Sequence, residues 1–325
     1  MPQTTRMVVA LLALLATSTV LTTISSPAVA QSFPVRPIRF LVGFAPGGST
    51  DIFARLVGRS VEKSVGQPVV IENRPGAGGS IAANAVAKAE PDGYTYFFGS
   101  VTIIAPFFIK NGAVVGGKDL VPVSNVSVSP WAMFVKADLP VRTLPELIAY
   151  AKANPGKLNF GSPSSSNDLA MEVLKVKTGI TYANIAYKGA GPVSTALLAG
   201  EIDMSLDSLP AYMPYLQAGK IRALFIAPAR TAQMPSLPTA GEVGIPNFDV
   251  ALPLTVWAPM GTPANVVQRM SNEVRTAVAV PEVIEQIRKA GAEPLGSTPD
   301  DLMKAYNAEI RFWSEAARLA KYEPQ

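Results

Sequence analysis

The stretch "IRFLVGFAPGGSTDIFARLV", Ile38 to Val57, decides how the chain is read. An apolar run, Ile38 to Phe44, has the composition of a strand buried on both faces. Ile52, Phe53, Leu56, Val57, Val61 and Val65 then recur at three- and four-residue steps, which predicts one core-facing side of a helix. Between them lies a glycine-rich turn. Gly43-x-x-x-x-Gly48-Ser49-Thr50 has the outline of a phosphate-binding loop, but Ser49 occupies the place of the lysine that would neutralise a triphosphate. What remains is backbone chemistry. Gly47 and Gly48 can turn sharply and present bare N–H groups, Gly48 is expected at positive φ, and Ser49 or Thr50 can cap the helix. Such a turn suits a small anion such as a carboxylate, or serves only as a tight strand-to-helix connection.

The pattern repeats along the chain. Val69 to Ile71, "ENRPGAGGS", a helix over Ile81 to Ala89, "PDGYT" and a strand over Tyr94 to Phe98 make further βα units, so a parallel sheet with its loops at the carboxyl ends of the strands is predicted. "LVPVSNVSVSPWAMFV", Leu120 to Val135, is too long for an ordinary strand and is expected to break at Pro130. It reads as a crossover into a second domain, and "FDVALPLTVWAP", Phe248 to Pro259, as the return. Alternation resumes between them, and Pro263 to Tyr322 is helical in pattern, with Pro281 and Pro299 at first-turn positions. Two α/β lobes, residues 31–129 with 252–325 and residues 130–251, would enclose a cleft with a hinge.

Composition removes whole classes of function. The 325 residues contain no cysteine and no histidine. Disulfides, thiolate chemistry, imidazole-based triads and histidine-bearing zinc sites are therefore excluded. No Ser-x-x-Lys motif lies at a strand end to support lysine-assisted acylation, so an enzyme using Ser49 or Lys188 is the weaker alternative. The net charge of +4 is scattered, with Arg288-Lys289 the one adjacent basic pair, which is a poor footprint for nucleic acid. Residues 1–30 carry one charge, Arg6, an apolar run from Val8 to Ala16 and the small residues Ala28-Val29-Ala30. They are expected to be a secretory signal cleaved after Ala30, too short in its apolar part to span a membrane.

"PIRFLVGFAPGGSTDIFARL", "GQPVVIENRPGAGGSIAANAVAKAEPDGYT", "YKGAGP" and "AGKIRALFIA" resemble the solute-binding proteins of tripartite tricarboxylate transporters, the Bug or TctC family. The resemblance covers essentially the whole mature chain. It implies a monomeric periplasmic binding protein of type II, without cofactor or metal, closing over a small organic acid and delivering it to a two-component integral membrane permease. A ligand-sensing subunit that hands the same acid to a signalling partner is the alternative within that fold. In the family one ligand carboxylate lies against the first glycine turn, which corresponds here to Phe44, Pro46, Gly47, Gly48, Ser49, Thr50 and Asp51. Other matching positions are Gly78 in the second turn, Ser100 and Thr102 at the end of the third strand, and Ser162 and Ser166 in "GSPSSSND". Lys188 in "YKGAGP" is either solvated or a ligand partner, and Asp207 either meets the ligand or caps a helix. Trp131 and Trp257, on the two crossovers, are expected to pack the hinge.

Two places depart from the family. The second-lobe loop usually carries several glycines and then a histidine, whereas here it reads "GSPSSSNDLAME" with Asn167-Asp168, and Pro253 replaces a tryptophan usual in the returning crossover. Asp168 is expected either to face the far end of the ligand and reject a second carboxylate or to cap a helix beginning at Leu169.

Overall fold

The computed structural model describes residues 33–100 and 114–322; the expected signal segment and Thr102 lie outside them. Strand β1 (Ile38–Val42) runs into helix α1 (Ser49–Val65), as its periodicity requires, with Phe53, Leu56, Val57 and Val61 buried. Ile52 is instead 38% exposed, one step off the apolar stripe. Gly66 closes the helix in the left-handed conformation, its N–H bonding Glu62 O. Strand β2 (Val69–Asn73) follows, then a one-turn 3-10 helix at Ala77–Gly79, α2 (Ser80–Ala87) and β3 (Thr95–Ser100). Both β2 and β3 pair with β1 in parallel.

The expected break at Pro130 does not occur. Leu120–Lys136 is a single 17-residue strand, β4. Pro130 is the last residue paired with β9 (Ala251–Pro259), opposite Ala251. Trp131 is the first paired with β7 (Met204–Ser208) and β8 (Ile221–Ala227), opposite Ser208 and Ala227. The residue that lacks an N–H thus falls where the ladder changes partners, and its missing donor interrupts nothing. Register shifts at Pro122/Ser124 and Asn125/Ser127 are bulges in the ladder between β4 and β9.

Beyond β4 come α3 (Leu144–Ala153), β5 (Asn159–Ser162), α4 (Ser165–Thr178), β6 (Ala183–Ala186), α5 (Ala190–Ala199) and the short α6 (Met213–Gln217), which follows β7. β5 pairs in parallel with β6 and β7. After β9 the chain forms α7 (Ala264–Ala279), α8 (Pro281–Lys289), β10 (Glu293–Pro294), which pairs with β4, and α9 (Pro299–Ala320). The backbone of the sheet is β2-β1-β3-β9-β4-β7-β5-β6, a mixed α/β arrangement.

Helix α9 touches both halves. Its Tyr306 packs edge-on against Trp257 of β9, with ring centroids 5.3 Å apart, and its Trp313 packs on Trp131 of β4 at 6.1 Å. Both tryptophans are expected to pack the hinge, and both do pack against this helix. Truncating a large buried aromatic side chain costs about 3–5 kcal/mol, so α9 is a substantial brace across the centre of the sheet.

Candidate functional site

The turn after β1 is held from within. Asp51, buried in the first turn of α1, accepts from Gly47 N–H at 3.1 Å, Arg55 Nε at 3.1 Å and Asn73 Nδ2 at 3.0 Å. Asn73 also donates to Phe44 O at 3.0 Å. Burial alone would raise the Asp51 carboxyl, but these hydrogen bonds and the Arg55 charge more than offset it and hold it below the usual range. All three acceptor roles of Asp51 are internal, so its work is to shape the turn. Gly48 takes φ −81°, open to any residue, contrary to the expected positive φ; the left-handed residue is Gly47, at +87°. α1, which follows Gly48, has no side-chain cap for its first N–H groups.

The second half presents two similar ends. α4 begins at Ser165, four residues before the expected start at Leu169, so Ser166, Asn167 and Asp168 are its first turn rather than a loop. Its N-cap, Ser164, makes no capping hydrogen bond; its hydroxyl pairs with Ser166 Oγ at 2.9 Å. Asn167 donates to Leu206 O at 2.8 Å, which ties the turn to β7. Ser162 donates to Ser164 O at 3.1 Å. Asp168 accepts from Asn184 Nδ2 at 2.7 Å, and burial pushes its carboxyl up against the opposing effect of that bond. α5 starts after Gly189, at φ +119°, again with no side-chain cap.

Asp207 lies at the end of β7, where one Oδ accepts from Ser208 N–H at 2.6 Å and the other from the Tyr212 hydroxyl at 3.2 Å. Complete burial pushes it up to about 7, with those hydrogen bonds pulling the other way.

These pieces meet across the sheet. Ala45 N–H donates to Lys188 O at 3.0 Å, and Ser49 Oγ lies 2.8 Å from Ser208 Oγ. Gly191 is so close to the first turn that a Cβ on it would fall 2.4 Å from Pro46 O. Together they narrow the space between them to a small cavity of about 30 Å³. Of the residues picked from sequence, Phe44, Gly48, Ser49, Thr50, Ser100, Ser166 and Asp207 line it. Pro46, Gly47, Asp51, Gly78, Ser162, Asp168 and Lys188 do not, although Pro46 and Lys188 contribute backbone carbonyls to the contact around it.

The cavity is also lined by Trp131, expected to pack the hinge, by Asn167, a departure from the family, and by Pro163, Ser164 and Leu252, which the sequence does not single out, as well as by Gly189, Ala190 and Ser208. The neighbours of the last three, in "YKGAGP" and beside Asp207, were already marked. Trp131 and Leu252 carried no such signal, because only the antiparallel register at the crossing brings them into the cavity lining.

Three uncapped helix N-termini, those of α1, α4 and α5, therefore converge on one cavity, and among the described residues no lysine or arginine lines it. Each brings free N–H groups and roughly half a positive charge from the helix dipole. Among the described residues no acidic cluster could hold a metal, and no helix is long and apolar enough to cross a membrane.

Residues 53–317 match the model of the "Tripartite tricarboxylate transporter family receptor". The chain belongs to that family. The Bordetella pertussis protein BugT is 35% identical to this receptor over 303 residues, 91% of this chain and 92% of its own. Among solved structures, R. palustris Rpa4515 with adipate superposes with a TM-score of 0.85 at 34% identity, over 90% of this chain and 100% of its own. MatC from Rhodopseudomonas palustris with bound malate gives 0.82 at 30% identity, over 87% and 99%. The receptor thus shares its fold with proteins solved with adipate and with malate.

Proposed function

We propose that this receptor captures a small organic carboxylate in the periplasm and delivers it to a two-component membrane permease, after export and cleavage of its leader at Ala30. The observation that carries the reading is the convergence of three uncapped helix N-termini on a cavity that no basic side chain among the described residues lines. Backbone N–H groups and helix dipoles are then what is on offer to a ligand, and both favour an anion. Relatives solved with adipate and malate support a carboxylate in particular. Ser49, Thr50 and Gly48 supply the first anchor in this reading, with Ser164, Ser166 and Ala190 opposite.

Residues 31–129 with 252–325 and residues 130–251 would move as two lobes. The change of partners on β4, from β9 at Pro130 to β7 and β8 at Trp131, and the start of β9 at Ala251 support those boundaries. Calorimetric titration with short carboxylic acids and their matched primary amides tests the anion reading. Acids should bind and the amides should not; amides binding as well as acids would overturn it.

A further inference from the structure

Trp131 carries a buried indole N–H with no hydrogen-bond partner. The other two tryptophans are satisfied: Trp257 Nε1 donates to Thr255 Oγ1 at 2.8 Å, and Trp313 Nε1 to Glu309 at 2.9 Å. Trp131 is 2% exposed, lines the cavity, and is held in place by Trp313 behind it. Two residues earlier, on the same face of β4, the Ser129 hydroxyl is also fully buried and unpartnered. Directly across the ladder from Ser129 is Leu252, another residue of the cavity wall. Orphaned buried donors are uncommon in native proteins because they forfeit hydration for nothing. Ser127, Ser129 and Trp131 form a row of three such groups on β4, and the one that lines the cavity, Trp131, has a simple use, which is to meet a ligand.

We propose that Trp131 Nε1, supported by Ser129 Oγ, is a specificity-determining donor that reads a neutral oxygen acceptor on the body of the ligand. The proposal rests on the carboxylate reading above and narrows it. The carboxylate end takes the helix N-termini. Among the described residues no lysine or arginine lines the cavity to offset a second carboxylate, so a second charge would be buried without a partner. A carbonyl or hydroxyl oxygen can satisfy the indole N–H without that penalty. Phe44 and Leu252 leave an apolar wall for the intervening carbons. The ligand class is accordingly a short monocarboxylate bearing a keto or hydroxyl group, rather than a plain dicarboxylate.

The experiment pairs acids that differ in that oxygen alone or nearly so: 3-hydroxybutyrate with butyrate, and 4-oxopentanoate with pentanoate, alongside succinate and adipate. Each is titrated calorimetrically into the parent protein and into Trp131→Phe, and the three indole N–H resonances of the parent are followed by nitrogen-15 NMR. Trp131 is assigned as the resonance that Trp131→Phe lacks. The parent should prefer at least one oxygenated acid over its plain partner by about tenfold or more, and Trp131→Phe should erase the preference. The Trp131 indole resonance should move with the oxygenated acid, a readout that holds even if the variant folds poorly. Equal binding of oxygenated and plain acids, or tightest binding of succinate or adipate, would overturn the proposal while leaving the carboxylate reading intact. Failure of every acid to bind would overturn both.

Discussion

Ser49 Oγ and Ser208 Oγ are 2.8 Å apart across 159 residues of sequence, one at the start of α1 and the other at the end of β7. Ser208 Oγ also lies 3.4 Å from the Asp207 carboxylate, so a hydroxyl chain links the first glycine turn to a buried acid in the other half of the sheet. Ser49→Ala and Ser208→Ala should each weaken ligand binding by about 1 kcal/mol, and the double variant by less than their sum, since both remove the same bond. Calorimetry on the four proteins measures the coupling. Strict additivity would mean that the pair does not hold the closed form.

Gly191 sets how closely the turns approach. Gly191→Ala places a methyl group 2.4 Å from Pro46 O, a backbone atom that cannot rotate away. The turns should stay apart, and the radius of gyration should exceed that of the parent with ligand present or absent. Gly48→Ala is the contrast: its Cβ would meet Ala190 at an ordinary 3.5 Å, and its φ of −81° suits alanine. Small-angle scattering should therefore separate the two variants, and equal radii would show that the contact at Pro46 does not limit closure.

Asp207 should make stability fall as pH rises. Its carboxyl, near 3.8 when unfolded, is pushed up to about 7 by burial in the fold. The folded protein therefore holds that proton more tightly than the unfolded chain, and its advantage is complete below about pH 4 and lost as pH climbs to about 7. The gap corresponds to on the order of 4 kcal/mol. Asp168 and Glu309, also pushed up by burial, slope the same way, while Asp51 and Glu72 oppose them. The diagnostic is the difference between parent and Asp207→Asn in denaturant melts from pH 4 to 8. The variant should gain on the parent as pH rises; parallel curves would rule out titration of Asp207 in this window.

Asp51 should matter to binding without lining the cavity. Asp51→Ala strands the donors of Gly47, Arg55 and Asn73 that now converge on it, and should cost about 2–3 kcal/mol of stability. Ligand affinity should fall with it, because the Gly47 and Gly48 backbone loses its tether. Asp51→Asn, which keeps one acceptor oxygen, should recover part of both. Unchanged affinity in Asp51→Ala, measured by calorimetry on the folded variant, would show that the turn holds its shape without this anchor.

The local order of the chain was legible from its residues. The βα units, the glycine-rich turns, the helix over "STDIFARLVGRSVEKSV" and the exclusion of histidine and cysteine chemistry depend on periodicity, turn chemistry and composition, which act over a few residues. The family blocks carried the function class the same way. What only the tertiary structure decided depends on pairing between distant segments. Pro130 reads locally as a strand breaker, yet it lies at a change of partners where no N–H is wanted. Asp168 reads either as a residue facing the ligand or as the cap of a helix beginning at Leu169, whereas α4 starts at Ser165 and places Asp168 in its first turn, accepting from Asn184. Trp131 reads as packing, and it packs, but the register of β4 against β7 and β9 also brings this residue, whose indole N–H has no partner, into the cavity lining. Cross-strand register is fixed by which apolar faces are buried together over the whole fold, so a site built on it has no local signature to read.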